Sequence, residues 1–136
     1  MILDEVALVC LVALAEIVSA YGGHLPPGHD DKAAVCLEVG RAADELELPV
    51  ALAVSVALEE SRFTRQLKSK AGAMGPLQII PRYHCPDAMG QHKPHARAGG
   101  EKIYASSRAY ARRIMRRAHR LDEQVSAIMA AHAEAR

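Results

Sequence analysis

The amino-acid sequence predicts a mainly α-helical protein in which one long irregular segment interrupts the helices. Apolar residues recur at helical spacing over residues 30–46, residues 50–60 are apolar and rich in alanine, and a third periodic region covers residues 101–133. Residues 61–100 show no periodicity and hold five of the nine glycines and four of the seven prolines. This stretch is too long for a passive connection, so we expect it to form a functional lobe.

Length and composition fit one globular domain and exclude several classes of protein. The chain has 136 residues, of which half are hydrophobic and 24% are charged, and this argues against intrinsic disorder. A formal net charge of +1 excludes a strongly basic nucleic-acid binder on overall charge. Aromatic residues make up only 4% and Phe63 is the sole phenylalanine, so we expect an aliphatic core that includes Phe63.

The N-terminal segment, residues 1–29, allows two interpretations. Residues 6–15 form an apolar run that is too short to span a bilayer and has the length of a signal-peptide core. Asp4 and Glu5 stand where a signal peptide carries positive charge, and acidic residues there favour the first turn of a retained, buried helix. On either interpretation the segment ends in a linker rich in Gly and Pro, and the main domain covers residues 30–136.

The cysteine count excludes a disulfide-dense scaffold, because Cys10, Cys36 and Cys85 cannot all pair within one chain. Loss of the N-terminal segment would leave Cys36 and Cys85 to form a bridge, although spacing alone says nothing about their distance. Three histidines also lie near Cys85: His84, His92 and His95. Their spacing matches no zinc motif, so we expect surface histidines there rather than a metal site.

The predicted helices have recognisable end signals. Asp30 and Asp31 are suited to cap the helix over residues 30–46. The core face of that helix is predicted from apolar positions spaced by four, three and four: Val35, Val39, Ala42 and Leu46. Pro49 suits the first position of the helix over residues 50–60, where its missing N–H costs nothing. Asp122 is expected to separate a helix over residues 101–120 from a last helix over residues 123–133.

A pair of glutamates, Glu59 and Glu60, lies at the carboxyl end of the most apolar predicted helix. A carboxylate at this end faces the negative pole of the helix dipole, and apolar surroundings also disfavour its ionised form. Both effects favour a protonated carboxyl group, which suits a general acid that works near neutral pH. The alternative is a pair of solvent-exposed charges at a helix end.

The residues that follow this pair make the sequence recognisable. Glu60-Ser61-Arg62-Phe63 is followed by Ser69 and then by Gly72-Ala73-Met74-Gly75-Pro76-Leu77-Gln78-Ile79-Ile80-Pro81. This series resembles the soluble lytic transglycosylase (SLT) family of the goose-type-lysozyme-like group. The family pattern is Glu-Ser-x-Phe, a Ser six residues later, and then Gly-Ala-x-Gly-Leu-Met-Gln-Ile-x-Pro. Every spacing agrees without an insertion, and a match in several parts is a strong signal.

The resemblance implies a lysozyme-like α domain with the irregular lobe after the catalytic helix. It also implies an enzyme that cleaves the β-1,4 bond between N-acetylmuramic acid and N-acetylglucosamine in peptidoglycan. In the family, one glutamate protonates the glycosidic oxygen and then acts as base while the muramic 6-hydroxyl attacks C1, which gives a 1,6-anhydro product. That glutamate directly precedes a serine, so the resemblance assigns the role to Glu60. No cofactor and no metal are implied.

The same motifs imply a set of substrate-binding residues: Ser61, Ser69, Gly75, Leu77, Gln78 and His132. Gly75 permits close approach of the backbone to a sugar, and Gln78 offers both donors and acceptors to a substrate rich in hydroxyl and amide groups. The alternative for Ser69 is a hydroxyl that stabilises a turn.

Three departures from the family pattern keep a second hypothesis open. Pro76 replaces the usual Leu and lacks a backbone N–H, while Leu77 replaces Met and keeps an apolar wall. The family also has an Ala-Tyr-Asn segment whose Tyr lies by the catalytic Glu. The matching stretch is expected at residues 130–134, with His132 in place of Tyr and Ala133 in place of Asn. The second hypothesis is a non-catalytic, peptidoglycan-binding or structural member of the family.

The expected partners are peptidoglycan glycan strands, with an envelope-spanning or virion assembly as a further setting. No nucleic acid and no stable membrane span are expected. The substrate implies a location in the cell envelope, periplasm or extracellular space, or on a virion.

A basic stripe recurs every four residues: Arg108, Arg112, Arg116 and Arg120, with Arg113 and Arg117 beside it. A solvated helix face, attraction to an anionic cell-wall polymer and DNA binding are the alternatives for this stripe.

Overall fold

The computed structural model describes residues 3–79 and 100–136, with side chains described to residue 79 and from residue 107. Four α-helices account for the regular structure of these residues, which contain no named strand: α1 (Glu5–Ala20), α2 (Lys32–Glu45), α3 (Val50–Ser61) and α4 (Gly100–Glu134). The predicted mainly α class is therefore confirmed. Helices α1 and α3 each contact the other three described helices, whereas α2 and α4 pack against α1 and α3 and not against each other.

Helix α1 lies in the same core as the other helices. Asp4 caps its N-terminus by accepting a hydrogen bond from the Val6 amide at 3.0 Å, and its carboxylate pairs with Arg41 of α2 at 2.8 Å. Val9 and Ala13 are fully buried, and the N-terminal segment thus contributes much of the apolar core. This packing agrees with the interpretation as a buried helix, and whether the segment is cleaved stays a prediction.

A disulfide joins α1 to α2 between Cys10 and Cys36, both of which are buried. With the N-terminal segment present, Cys36 pairs with Cys10. The pairing of Cys36 with Cys85, which was expected only after loss of that segment, stays a prediction. Cys85 lies outside the described residues, as do His84, His92 and His95.

The buried face of α2 differs from the predicted one. Val35 is buried as expected, but Ala42 and Leu46 are exposed, and the buried positions in the second half of the helix are Gly40 and Ala43. A Cβ atom at position 40 would lie 2.6 Å from Val6 Cγ1, so glycine is what lets α1 and α2 approach this closely. The disulfide and this close contact rotate the core face of α2 away from the predicted stripe.

Helix α3 is apolar almost all round because it has two apolar faces with different neighbours. One face is buried in the core and includes Val54 and Leu58. The other is half-buried, carries Leu52 and Val56, and continues to Glu60, since these residues are four apart. Pro49 lies at the N-cap position, directly before the helix rather than in its first turn.

The C-terminal end of α3 turns sharply through two residues with positive φ, Arg62 at 49° and Phe63 at 58°. Non-glycine residues adopt this conformation rarely, so neighbouring contacts must hold it. Phe63 is fully buried, as predicted, and Lys32 Nζ donates to the Arg62 carbonyl oxygen at 2.5 Å. Burial lowers the pKa of Lys32, since it disfavours the charged ammonium.

Helix α4 is a single helix of 35 residues, whereas two helices are predicted. Asp122 does not divide it, because the buried residues on either side keep one continuous spacing: Ile114, Ala118, Leu121 and Val125. An exposed Asp in a helix costs only a few tenths of a kcal/mol, which is too little to break this stripe.

Candidate active site

Glu60 lies in an open cleft of about 620 Å³ between α3, α4 and the loop after α3. The second apolar face of α3 forms one wall, and Gln78 and Tyr110 contribute polar groups. Leu77 and Ile79 of the loop add apolar surface. Among the described residues that line the cleft, Glu60 is the only carboxylate.

The hydroxyl of Tyr110 donates a short hydrogen bond to Glu60 Oε1. Burial raises the pKa of Tyr110 well above its ordinary value of 10, and the hydrogen bond to Glu60 and the charge of that carboxylate act in the same direction. Tyr110 is therefore a neutral phenol at physiological pH and can serve as a hydrogen-bond donor. The bond occupies one carboxylate oxygen of Glu60 and fixes the orientation of the group.

Gln78 is held in the loop by its own side chain. Its Nε2 donates to the carbonyl oxygens of Leu67 at 2.9 Å and Gly75 at 2.8 Å, and its φ of 50° is positive. Both amide protons are used in this way, so the group that Gln78 can offer to a ligand in the cleft is the acceptor Oε1.

Three other predicted residues shape the loop. Gly75 has a φ of 75°, and its N–H donates to the Leu67 carbonyl oxygen at 3.0 Å. Ser69 Oγ accepts from the Ala73 amide at 3.0 Å, which is the turn-stabilising alternative. Ser61 is buried, and its Oγ lies 2.7 Å from the Pro76 carbonyl oxygen, so it ties the loop to the end of α3.

Glu59 points away from the cleft lining and pairs with α4. Its two oxygens accept from Arg113 Nε and Arg117 Nη1, each at 2.8 Å. The Arg117 hydrogen bond and the smaller contribution of Arg113 outweigh burial, and together they hold the pKa of Glu59 below its ordinary value. The two adjacent glutamates thus have different environments and different partners.

The structure does not bring His132 to Glu60. His132 lies twenty-two residues beyond Tyr110 on α4, about 33 Å along the helix, in a small cavity with Leu3 and Met129. The position beside Glu60 that the sequence analysis gives to His132 is occupied by Tyr110. Tyr110 is a site residue that the sequence analysis missed. A signal for it exists, because Tyr110 stands four residues before Ile114 and so extends the buried stripe of α4.

The basic stripe of α4 is divided between ion pairs and solvent. Arg117 and Arg120 face Glu16 of α1 at 3.6 and 3.7 Å, whereas Arg112 and Arg116 are exposed. Within residues 3–79 and 100–136, no group of three or more His, Cys, Asp or Glu side chains is placed to hold a metal ion.

Comparison with known proteins decides the family. A family model described as "Transglycosylase SLT domain" matches residues 39–130, which is more than half of the chain. The chain belongs to the transglycosylase SLT family. The SLT domain has a lysozyme-like α fold, and the four described helices agree with it. Searches of curated proteins and of solved structures gave no match.

SLT membership and the Cys10–Cys36 disulfide together indicate an extracytoplasmic location, and SLT domains bind peptidoglycan. None of the described helices is both long enough and apolar enough to cross a membrane.

Proposed function

We propose that this SLT domain is a lytic transglycosylase that cleaves the β-1,4 bond between N-acetylmuramic acid and N-acetylglucosamine, with Glu60 as its single acid and base. The observation that carries the proposal is the contact of Tyr110 with Glu60 in a cleft that has no second described carboxylate. Glycosidases that use water normally need two carboxylates, one as acid and one as base or nucleophile. A site with one carboxylate fits a reaction in which the substrate supplies the nucleophile.

In the proposed reaction, protonated Glu60 donates its proton to the glycosidic oxygen while the bond from C1 to that oxygen breaks. N-acetylglucosamine leaves with a new hydroxyl group. The Glu60 carboxylate then accepts the proton of the muramic 6-hydroxyl as O6 attacks C1 and forms the 1,6-anhydro ring. Glu60 ends the cycle protonated, and no water is consumed.

Tyr110 and Gln78 have supporting roles in this proposal. Because the Tyr110 hydroxyl occupies Oε1, the proton in transfer is carried on Oε2 of Glu60. The Tyr110 bond also stabilises the carboxylate that forms when the proton leaves. Gln78 Oε1 accepts from a hydroxyl or amide N–H of the glycan, and Leu77 provides an apolar wall.

The test is digestion of purified peptidoglycan followed by mass spectrometry of the fragments. A transglycosylase gives ends that are lighter by one water than those of a hydrolase. Glu60→Gln keeps the shape of the side chain but removes the transferable proton, so we expect turnover to fall by about 10²–10⁴-fold. Glu45→Gln is the matched control, because Glu45 is an exposed carboxylate on α2 and should leave turnover unchanged. Equal activity of wild type and Glu60→Gln would refute the role of Glu60.

The Tyr110→Phe variant tests the contact itself. It removes one hydrogen bond to a charged group and keeps the ring, so we expect turnover to fall by about 10- to 100-fold. The non-catalytic alternative predicts a different outcome, in which wild type sediments with peptidoglycan but releases no fragment. One observation that favoured that alternative was the expected His132 in place of the family Tyr, and the contact of Tyr110 with Glu60 argues against it. The substitution of Pro76 and the absence of the family Asn still leave the alternative open to this test.

A further inference from the structure

Arg113 links the two neighbouring glutamates of α3 through Tyr110. Its guanidinium carbon lies 5.6 Å from the centroid of the Tyr110 ring, within the range of a cation–π contact. Its Nε also donates to Glu59 Oε1 at 2.8 Å. The Tyr110 hydroxyl in turn donates to Glu60. A continuous chain of contacts therefore runs from Glu59 through Arg113 and the Tyr110 ring to Glu60.

These contacts restrain the Tyr110 side chain, whose orientation determines whether its hydroxyl reaches Glu60. A tyrosine ring moves about two side-chain torsions, and a small swing would take its hydroxyl out of hydrogen-bond distance. The Arg113 side chain is about half exposed, and on its own it would sample several rotamers. The Glu59 side chain is only 22% exposed and fixes the guanidinium against the ring. Neither Arg113 nor Glu59 lines the cleft, so neither is placed to contact a glycan there.

We propose that Arg113, anchored by Glu59, is a positioning residue that holds the Tyr110 hydroxyl on Glu60. This inference rests on the proposed function, since the position of Tyr110 matters for turnover only if Glu60 transfers the proton. The structure also supplies a matched comparison. Arg117 forms the other half of the Glu59 ion pair at the same distance of 2.8 Å, and Glu59 and Glu16 are its charged partners.

The test compares Arg113→Met with Arg117→Met. We expect Arg113→Met to lower kcat on a soluble glycan by about twofold to fivefold, the size expected for loss of one half-exposed cation–π contact. The KM should stay unchanged because Arg113 does not line the cleft. Arg117→Met should keep the wild-type kcat, although it breaks the same ion pair. Equal kcat values for the two variants would overturn the proposal.

A readout independent of activity follows the Tyr110 hydroxyl directly. In protein with ¹³C-labelled tyrosine, the Cζ signal that disappears in Tyr110→Phe reports the hydrogen bond to Glu60. Arg113→Met should shift that signal and Arg117→Met should not. Arg113→Lys keeps a cation for both Glu59 and the ring, so the signal and the kcat should return toward the wild-type values. An unmoved Tyr110 signal in Arg113→Met would overturn the proposal.

A double-variant cycle separates positioning from a general loss of structure. If Arg113 acts through the Tyr110 hydroxyl, then Arg113→Met should have no further effect on kcat in the Tyr110→Phe background. Multiplicative effects of the two changes would instead show that Arg113 acts elsewhere, and would overturn the proposal. If wild type releases no product at all, the proposed function fails, and the Tyr110 signal alone decides whether Arg113 holds the ring.

Discussion

Tyr110 and Glu60 stand fifty residues apart in the chain, and their contact depends on where each side chain lies on its helix. Glu60 lies on the cleft-facing side of α3, four residues after Val56. Tyr110 lies on the same side of α4 as its buried residues, four residues before Ile114. The adjacent Glu59 is turned toward Arg113 and Arg117 and becomes part of an ion-pair network instead. Because consecutive residues of a helix point in different directions, Glu60 faces the cleft as the candidate acid and Glu59 forms ion pairs with α4.

Lys32 is a second residue whose role appears only in three dimensions. It is buried, and its ammonium reaches across to the Arg62 carbonyl oxygen and to Thr64 Oγ1. These contacts lie at the turn where Arg62 and Phe63 adopt positive φ, directly after Glu60 and Ser61. A cation at the carboxyl end of α3 also interacts favourably with the helix dipole.

We expect Lys32→Met to lower the free energy of unfolding by about 1–2 kcal/mol. The variant leaves the Arg62 carbonyl without its charged donor, and relief of a buried charge offsets part of that cost. Urea denaturation followed by circular dichroism measures the change. Lys70→Met, at an exposed site, should stay within about 0.5 kcal/mol of wild type. A Lys32→Met protein as stable as wild type would contradict this role.

At the scale of elements, the junction of α3 with α4 combines apolar packing with charge. The buried stripe of α4 packs on the core, and the Glu59 pairs with Arg113 and Arg117 lie beside it. Partly buried ion pairs with two hydrogen bonds contribute more than exposed pairs do, because solvent screens them less. The stability of this junction should therefore depend on pH.

We expect Glu59→Gln to be destabilising at pH 7 by roughly 1.5–3 kcal/mol, the range for hydrogen bonds to charged groups. The pKa of Glu59 in the fold lies below the ordinary value of 4.5, so its contribution is complete above that pH. The contribution is lost as the pH falls through the pKa that Glu59 has in the folded protein. The difference in unfolding free energy between wild type and variant should thus shrink in acid. A difference that stays constant from pH 7 to pH 3 would contradict the assignment.

At the scale of the whole molecule, the disulfide makes α1 an integral part of the fold. Cys10 and Cys36 are twenty-six residues apart, and the bridge closes the loop that contains the Gly- and Pro-rich linker. The same helix supplies Glu16 to the arginines of α4 and Val9 to the core. We therefore propose that residues 1–29 belong to the mature domain and are not a cleaved leader.

Reduction of the bridge should lower stability by about 3–4 kcal/mol, the loop-entropy value for this separation. For a chain of 136 residues this corresponds to a fall in Tm of about 10 °C. Thermal unfolding with and without a reductant measures the effect, and the Cys10→Ala/Cys36→Ala variant should match the reduced protein. Cys85→Ser leaves this bridge in place and should still respond to the reductant. A Tm that does not respond in wild type would contradict the proposed contribution.

The sequence by itself determined the helical class and the motif from Glu60 to Pro81. It also determined three helical regions, at residues 30–46, 50–60 and 101–133. These features are local, because helical periodicity and turn residues act over a few neighbouring positions. The same local reasoning placed Phe63 in the core, and it recognised the family that residues 39–130 match. It also left the turn-stabilising alternative for Ser69 in view, which the contact with the Ala73 amide supports.

Only the tertiary structure decided which residues meet. Periodicity gives the face of a helix but not the point at which two helices cross, so it could not show that Tyr110, rather than His132, lies beside Glu60. For the same reason it could not pair Cys10 with Cys36 or turn the core face of α2 toward Gly40 and Ala43. These pairings are set by the close approach of α1, α2 and α4 around α3, which is a property of the packed core and not of any one segment.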